Sequence, residues 1–156
     1  MKLIESYYEI IPQEPGLKGV YKQIEIAARN CYKSESFIKE GSAEKMVEAL
    51  IKRGHGSPLE HGTVYLKLPA QHKIIKNFIK DNPVWTKCRY VKEPSGNWWA
   101  VTTNGRRIIE KEWQNYLRYL CEPTEHHEKR YTVRFVCSRS ISHEVVRHRS
   151  IKLLVA

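Results

Sequence analysis

Hydrophobic and polar positions change their period several times along the chain, and each change predicts a new element. Short runs of alternating or mainly apolar positions predict strands at residues 2–11, 63–68, 83–91, 97–103 and 131–137. Apolar positions that recur every three or four residues predict helices at residues 18–32, 43–53, 71–80, 106–121 and 141–148. Because two strands follow each other directly in the middle of the chain, we expect an α+β fold, with a mixed sheet packed against helices.

Turn-forming and capping residues set the bounds of several predicted elements. The Pro-Ser-Gly segment at 94–96 separates the two central strands and predicts a hairpin. Ser42 and Ser140 stand where the N-caps of two predicted helices are expected, and Gly54 follows the last turn of the helix that begins after Ser42. The polar segment 55–62 is predicted to be a loop.

The composition is typical of one globular domain. The chain has 156 residues, and 41% of them are hydrophobic, which is enough to bury a core. It has no run of 18 apolar residues and no signal-peptide pattern, so we expect a cytoplasmic protein that does not cross a membrane. Its four cysteines form no Cys-x-x-Cys pair, which predicts free thiols in a reducing compartment.

The charge is strongly basic and is unevenly distributed. The formal net charge is +10, and residues 79–156 hold 15 basic and 8 acidic side chains, against 12 and 9 in residues 1–78. This excess predicts an anionic partner: a nucleic acid, a phosphorylated small molecule or a membrane surface. We expect the C-terminal end of the chain to contact it.

Several sequence motifs are excluded. The glycine pattern of a dinucleotide-binding turn is absent, and so is a Walker A motif. Segment 143–148 differs from H-E-x-x-H because its second histidine comes one position late, and segment 57–61 lacks the first histidine of H-x-x-E-H. We therefore expect no metal site.

Three short segments hold the residues best suited to bind a ligand. The Arg-His-Arg segment 147–149 offers two guanidinium groups to anionic oxygens, although it also fits a solvated basic face paired with Glu144. Segment 54–61 is dense in hydrogen-bonding groups, although it also fits a turn in which Ser57 and Glu60 cap their own backbone. Segment 27–32 has small residues at a helix end, which favour either close approach of a flat ligand or ordinary helix packing.

Taken in order along the chain, three motif blocks resemble the flavin-dependent thymidylate synthase family. They are AARNCY at 27–32, GHGSPLEH at 54–61 and SHEVVRHR at 142–149. The resemblance implies an α+β fold and a homotetramer with FAD sites shared between subunits. It also implies reductive methylation of dUMP to dTMP, with methylenetetrahydrofolate as the carbon donor, NADPH as the reductant of the flavin and no cysteine nucleophile.

The resemblance implies roles for individual residues as well. Arg147, His148 and Arg149 match the Arg-His-Arg segment that holds FAD. Arg147 also matches a dUMP contact, where its guanidinium stabilises charge that develops on the pyrimidine ring and so has a catalytic role. Ser57, Glu60 and Cys31 match flavin-contacting positions, and Glu144 matches a dUMP-binding position.

The family pattern is lost after Arg149. We expect residues 1–149 to be the N-terminal portion of a flavin-dependent thymidylate synthase-like domain, with its C-terminal part missing. Residues 150–156 are expected to be an aberrant tail, from a frameshift, a truncated gene or a cloning error. The chain is then an active, incomplete or inactive family member.

Two other functions stay open at this stage. The charge of +10, the arginines and the pair Trp98-Trp99 are compatible with a small nucleic-acid-binding protein whose tryptophans stack on bases. The same tryptophans also fit a hairpin that covers a core, which makes nucleic acid the less favoured partner. The other function is a non-catalytic oligomerising remnant that holds no flavin.

Overall fold

Strands of the described chain form two separate antiparallel sheets in the computed structural model, which describes residues 5–147. The strands are β1 Tyr7–Ile11, β2 Thr63–Pro69, β3 Lys87–Val91, β4 Trp98–Asn104 and β5 Thr132–Val136. β1 pairs with β5, and β4 lies between β2 and β3. The predicted α+β class is therefore confirmed, whereas the predicted mixed sheet is replaced by two antiparallel ones.

The three-stranded sheet supplies one wall of the core. In β2 the side chains of Val64, Leu66 and Leu68 alternate onto one face and are almost fully buried. Val101 lies directly opposite Leu66 on β4 and is also buried. This face packs with the apolar sides of the helices, so the alternation in the sequence predicted both the strands and their buried face correctly.

Six α-helices pack around this sheet or follow it in the described chain. They are α1 Gly16–Tyr32, α2 Ser42–Lys52, α3 Gly56–Leu59, α4 Ile75–Lys80, α5 Gly105–Glu110 and α6 Arg139–Val146. Val20 and Ile24 of α1 and Leu50 of α2 join the core cluster. The predicted α1 and α2 are confirmed, and Gly54 takes a positive φ of 69° just beyond α2. The predicted N-cap of α2 is wrong by one residue, because Gly41 is the N-cap and Ser42 is the first residue of the helix.

The predicted helix at 106–121 is wrong over its second half. α5 ends at Glu110, and residues Gln114–Tyr119 form a 3₁₀-helix after a break in which Glu112 has a φ of +55°. The apolar positions still face inward, since Ile108 and Trp113 are buried. The period of the pattern predicted burial correctly but could not show that the backbone turns between these two residues.

Smaller corrections concern the ends of other elements. The segment predicted as a loop at 55–62 contains the short helix α3, because Pro58 and Leu59 bury their side chains there. The N-cap of α6 is Ser138, whose Oγ accepts a hydrogen bond from the amide of Ile141, and Ser140 lies inside the helix. Strands β1 and β3 and helix α4 begin later than predicted.

The β1–β5 ribbon is attached to the rest of the fold by polar contacts. The side-chain amide of Gln13 donates to the carbonyl of Thr63 and accepts from its N–H, both at 2.8 Å. Just before β5, the amide of Arg130 donates to the Tyr65 hydroxyl at 3.1 Å. The ribbon therefore lies beside β2 without being hydrogen-bonded into the three-stranded sheet as a further strand.

Candidate functional site

The fold brings the first two motif blocks together. α1 carries block 27–32 in its last two turns, and block 54–61 connects α2 to β2 through α3. The Tyr32 hydroxyl lies 3.2 Å from Nδ1 of His55, so the two blocks are joined by a hydrogen bond. Directly after the second block, a Cβ on Gly62 would lie 2.7 Å from the Ile24 side chain, which shows how closely the chain passes α1.

The three flavin-contact candidates in these blocks differ in their exposure. Ser57 is exposed on α3, and its carbonyl accepts a hydrogen bond from the Glu60 amide. Cys31 is half-buried on the last turn of α1, and burial raises the pKa of its thiol. The Glu60 side chain is only 8% exposed, because it is turned inward.

Glu60 is paired with an arginine that the sequence analysis did not select. Nη1 of Arg106, in the first turn of α5, lies 2.7 Å from Oε1 of Glu60. The same guanidinium contacts Glu110 through Nε at 2.6 Å. The i, i+4 spacing of Arg106 and Glu110 is a signal that sequence reasoning can read. The contact with Glu60, 46 positions away, has no local signal.

A buried ion-pair network continues from Arg106 into the core. Arg107 pairs with Glu110 and with Asp81, and Thr86 donates to Asp81 at 2.6 Å. Burial would raise the pKa of Asp81, but the hydrogen bonds from Arg107, Thr86 and the Asn82 amide outweigh it and hold the pKa below its ordinary value.

Burial favours the neutral form of two histidines, one of them in the second block. Burial lowers the pKa of His61 in the second block, against a weaker opposite effect of Glu60. Burial also lowers the pKa of His127, whose Nε2 lies 3.2 Å from the carbonyl of Leu66. Over residues 5–147, no group of three His, Cys, Asp or Glu side chains is arranged to hold a metal ion.

The third block lies on α6 and is only partly described. Arg147 and Glu144 form an exposed ion pair at 3.0 Å, with about three-quarters of each side chain accessible to solvent. His148 and Arg149, the other two residues predicted to hold FAD, lie outside the described residues, as does the predicted tail at 150–156. Among residues 5–147, no hydrogen bond or ion pair joins α6 to the first two blocks.

The chemistry of the accessible side chains fits a flavin nucleotide in kind. Arg147 presents a guanidinium fork of the sort that binds pyrophosphate oxygens. Ser57 offers an exposed hydroxyl, and Cys31 offers a thiol that stays uncharged because its pKa is raised. The Glu60 carboxylate is paired with Arg106 and largely buried, whereas Ser57 in the same block is exposed.

A protein-family model matches this part of the chain. The model described as thymidylate synthase complementing protein matches residues 17–82, which contain the first two motif blocks and the elements from α1 to α4. This stretch of the chain is similar to that family. The family resemblance read from the motifs is thus confirmed over 17–82, and the family's general function is thymidylate synthesis by a flavin-dependent enzyme.

Other comparisons add no relative. Neither the curated proteins nor the solved structures gave a significant match to this chain. None of the helices in the described part of the chain is long and apolar enough to cross a membrane. The third block, Arg106 and the ribbon strands β1 and β5 all lie outside the residues that the family model matches.

Proposed function

We propose that this protein takes part in flavin-dependent thymidylate synthesis, the reductive methylation of dUMP to dTMP. FAD is the cofactor, methylenetetrahydrofolate supplies the carbon and NADPH supplies the reducing equivalents. The observation that carries the proposal is the contact between the first two motif blocks inside the segment that matches the family model. The predicted cytoplasmic location is part of the same proposal.

The residue roles follow the family resemblance. Arg147, with His148 and Arg149, binds the anionic part of FAD, and Arg147 also contacts dUMP. Ser57 and Cys31 contact the flavin from the first two blocks. Glu144 lies one helical turn from Arg147 and is paired with it, so its proposed contact with dUMP requires that this exposed ion pair opens when the nucleotide binds.

A second copy of the chain completes the proposed site. α6 makes its polar contacts within itself in the described structure, so Arg147 needs another element to bring it to Ser57 and Cys31. The outer face of the β1–β5 ribbon exposes the apolar side chains of Tyr8, Ile10 and Phe135. Such a face supports self-association, and the assembly proposed is a homotetramer with FAD sites shared between subunits.

Three of the four cysteines are poorly suited to act as nucleophiles. Burial raises the pKa of Cys31, Cys88 and Cys121, and for Cys88 it reaches about 12. Because the thiolate is the nucleophile, these thiols are unreactive at neutral pH. This is compatible with a reaction in which none of these three thiols acts as the nucleophile.

The two neighbouring tryptophans do not support nucleic-acid binding by base stacking. Trp98 is buried to 4% exposure, and the indole N–H of Trp99 donates to the carbonyl of Ala70 at 3.3 Å. Neither ring is presented as a stacking platform, so the interpretation that this hairpin covers a core is confirmed. What supports nucleic-acid binding is then the net charge alone.

A visible absorbance spectrum tests the proposed function. The purified chain is loaded with FAD, freed of excess and measured with and without dUMP. We expect a retained flavin spectrum that shifts when dUMP is added, and Arg147→Gln should lose both retention and shift. Arg89→Gln is the matched control, because it removes the same charge from β3. A colourless wild-type protein would contradict the proposal and favour a non-catalytic oligomerising remnant.

A further inference from the structure

Arg106 lies outside the three motif blocks and outside the matched residues 17–82, yet it contacts the second block directly. Its Nη1 is 2.7 Å from the Glu60 carboxylate, in a contact that spans 46 positions of the sequence. A Cβ on Gly56, at the start of α3, would lie 2.9 Å from Nε of Arg106. The guanidinium therefore contacts Glu60 at one end of the short helix that carries Ser57 and lies close to Gly56 at the other.

The contact with Glu60 explains why this carboxylate can lie inside the protein. A buried carboxylate without a partner is strongly unfavourable, and the Glu60 side chain is only 8% exposed. The charge-assisted hydrogen bond from Arg106 offsets that cost. Arg106 therefore favours the inward orientation of Glu60, which is the C-cap of the short helix α3 that carries Ser57.

Arg106 is itself held in place from two further directions. Its Nε contacts Glu110 at 2.6 Å, and its guanidinium carbon lies 5.5 Å from the centre of the Trp85 ring. Glu110 is fixed in turn by Arg107, which is anchored to the buried Asp81. A chain of ion pairs therefore runs from the buried Asp81 to Glu60 at the end of α3, and Arg106 is the member that contacts Glu60.

We propose that Arg106 is a positioning residue of the candidate flavin site: through Glu60 it holds helix α3 in place and so positions Ser57. This inference rests on the proposed function for the identity of the ligand. It also reassigns Glu60, which was predicted to contact flavin, as the group that transmits the position of Arg106. Arg106 does not touch the flavin in this account.

Two readouts test the proposal: amide hydrogen exchange at Glu60 and His61, whose N–H groups donate to the carbonyls of Ser57 and Pro58, in the flavin-free protein, and the dissociation constant of FAD. Arg106→Gln should speed exchange at these two amides and weaken FAD binding about tenfold, within the range of couplings between contacting residues. Arg106→Lys should recover part of both, because lysine keeps the positive charge but lacks the planar fork of donors that the guanidinium offers to Glu60 and Glu110. Arg89→Gln, which removes the same charge elsewhere, should change neither.

Glu60→Gln separates positioning from direct binding. This change makes the protein more positive, so it would strengthen the binding of anionic FAD if charge alone mattered. If Arg106 acts through Glu60, the change should weaken FAD binding, and the double variant Arg106→Gln/Glu60→Gln should lose little more than either single variant. Stronger binding by Glu60→Gln, with Arg106→Gln still weaker, would make Arg106 a direct ligand and overturn the proposal.

The remaining outcomes distinguish this proposal from the proposed function. Unchanged exchange in Arg106→Gln overturns the proposal even when the wild-type protein retains FAD. Faster exchange with unchanged FAD affinity also overturns it, because α3 would then not position a flavin contact, while the proposed function stands. A wild-type protein that binds no FAD overturns the proposed function, and with it the claim that Arg106 positions a flavin contact. Circular dichroism of each variant shows whether it is folded.

Discussion

Single residues decide the stability of the network behind the candidate site. The Asp81 side chain is 3% exposed and is paired with Arg107, which is also largely buried. We predict that Asp81→Asn lowers the free energy of unfolding by about 3 kcal/mol, since it leaves a buried guanidinium without its main partner. Urea unfolding measures this. Glu144→Gln, which breaks an exposed ion pair, is the control and should change little; equal losses in the two variants would contradict the prediction.

The same residue predicts a dependence on pH. The pKa of Asp81 in the folded state lies below its ordinary value, so its contribution to stability is fully present above the unfolded pKa of about 4. That contribution is lost as the pH falls through the folded pKa. The difference in unfolding free energy between wild type and Asp81→Asn should be constant from about pH 7 to pH 5 and should narrow below about pH 4. A difference in unfolding free energy that increases as the pH falls below about 4 would contradict the prediction.

At the scale of residues, the sequence pattern selected candidate site residues but not the partners that hold them. Cys31, Ser57 and Glu60 could be selected because each lies in a short segment with a recognisable pattern. Arg106 and Asp81 could not, because their partners are 46 and 26 positions away and nothing in the local pattern pairs them. The burial of Glu60 could not be predicted either, because an acidic residue in a polar segment is ordinarily exposed.

Elements were predicted best where the backbone is regular. The alternation in β2 and β4 and the apolar face of α1 are local properties, and all three elements are present in the structure. The prediction of one continuous helix over 106–121 was wrong because α- and 3₁₀-helices share similar apolar spacing. The left-handed backbone of Glu112 lies between α5 and the 3₁₀-helix Gln114–Tyr119, and no glycine marks that position.

That break yields a prediction at the scale of the element. A residue other than glycine at positive φ is strained by roughly 1–2 kcal/mol, and glycine relieves this at some cost in unfolded-chain entropy. Glu112→Gly should therefore raise the free energy of unfolding by about 0.5 kcal/mol. Lys111→Gly, at φ −103°, is the neighbouring control and should lower it. Thermal and urea unfolding of both variants measure the effect, and destabilisation by Glu112→Gly would show that its side chain matters more than its backbone.

At the scale of the whole molecule, the sheet arrangement was the feature that the sequence could not predict. Strands β1 and β5 were both predicted, but their pairing joins Tyr7 to Val136 across almost the whole described chain. The apolar pattern shows which residues are strand-like and leaves their partners undefined. The contacts of Gln13 with Thr63 then hold this ribbon beside β2 as a separate sheet, where a single sheet was predicted.

The ribbon makes the last prediction one about assembly. Tyr8 lies opposite Phe135 in the register, with ring centres 6.3 Å apart, and Ile10 lies on the same outward face. Both aromatic rings are more than half exposed, so another copy of the chain would bury them on association.

Phe135→Lys should therefore shift the protein from multimer to monomer in sedimentation equilibrium and abolish FAD retention at the same time. Val84→Lys places the same charge on an exposed apolar position in a loop and should leave both unchanged. A Phe135→Lys variant that stays multimeric would place the interface elsewhere, and one that becomes monomeric yet retains FAD would show that each chain completes its own flavin site.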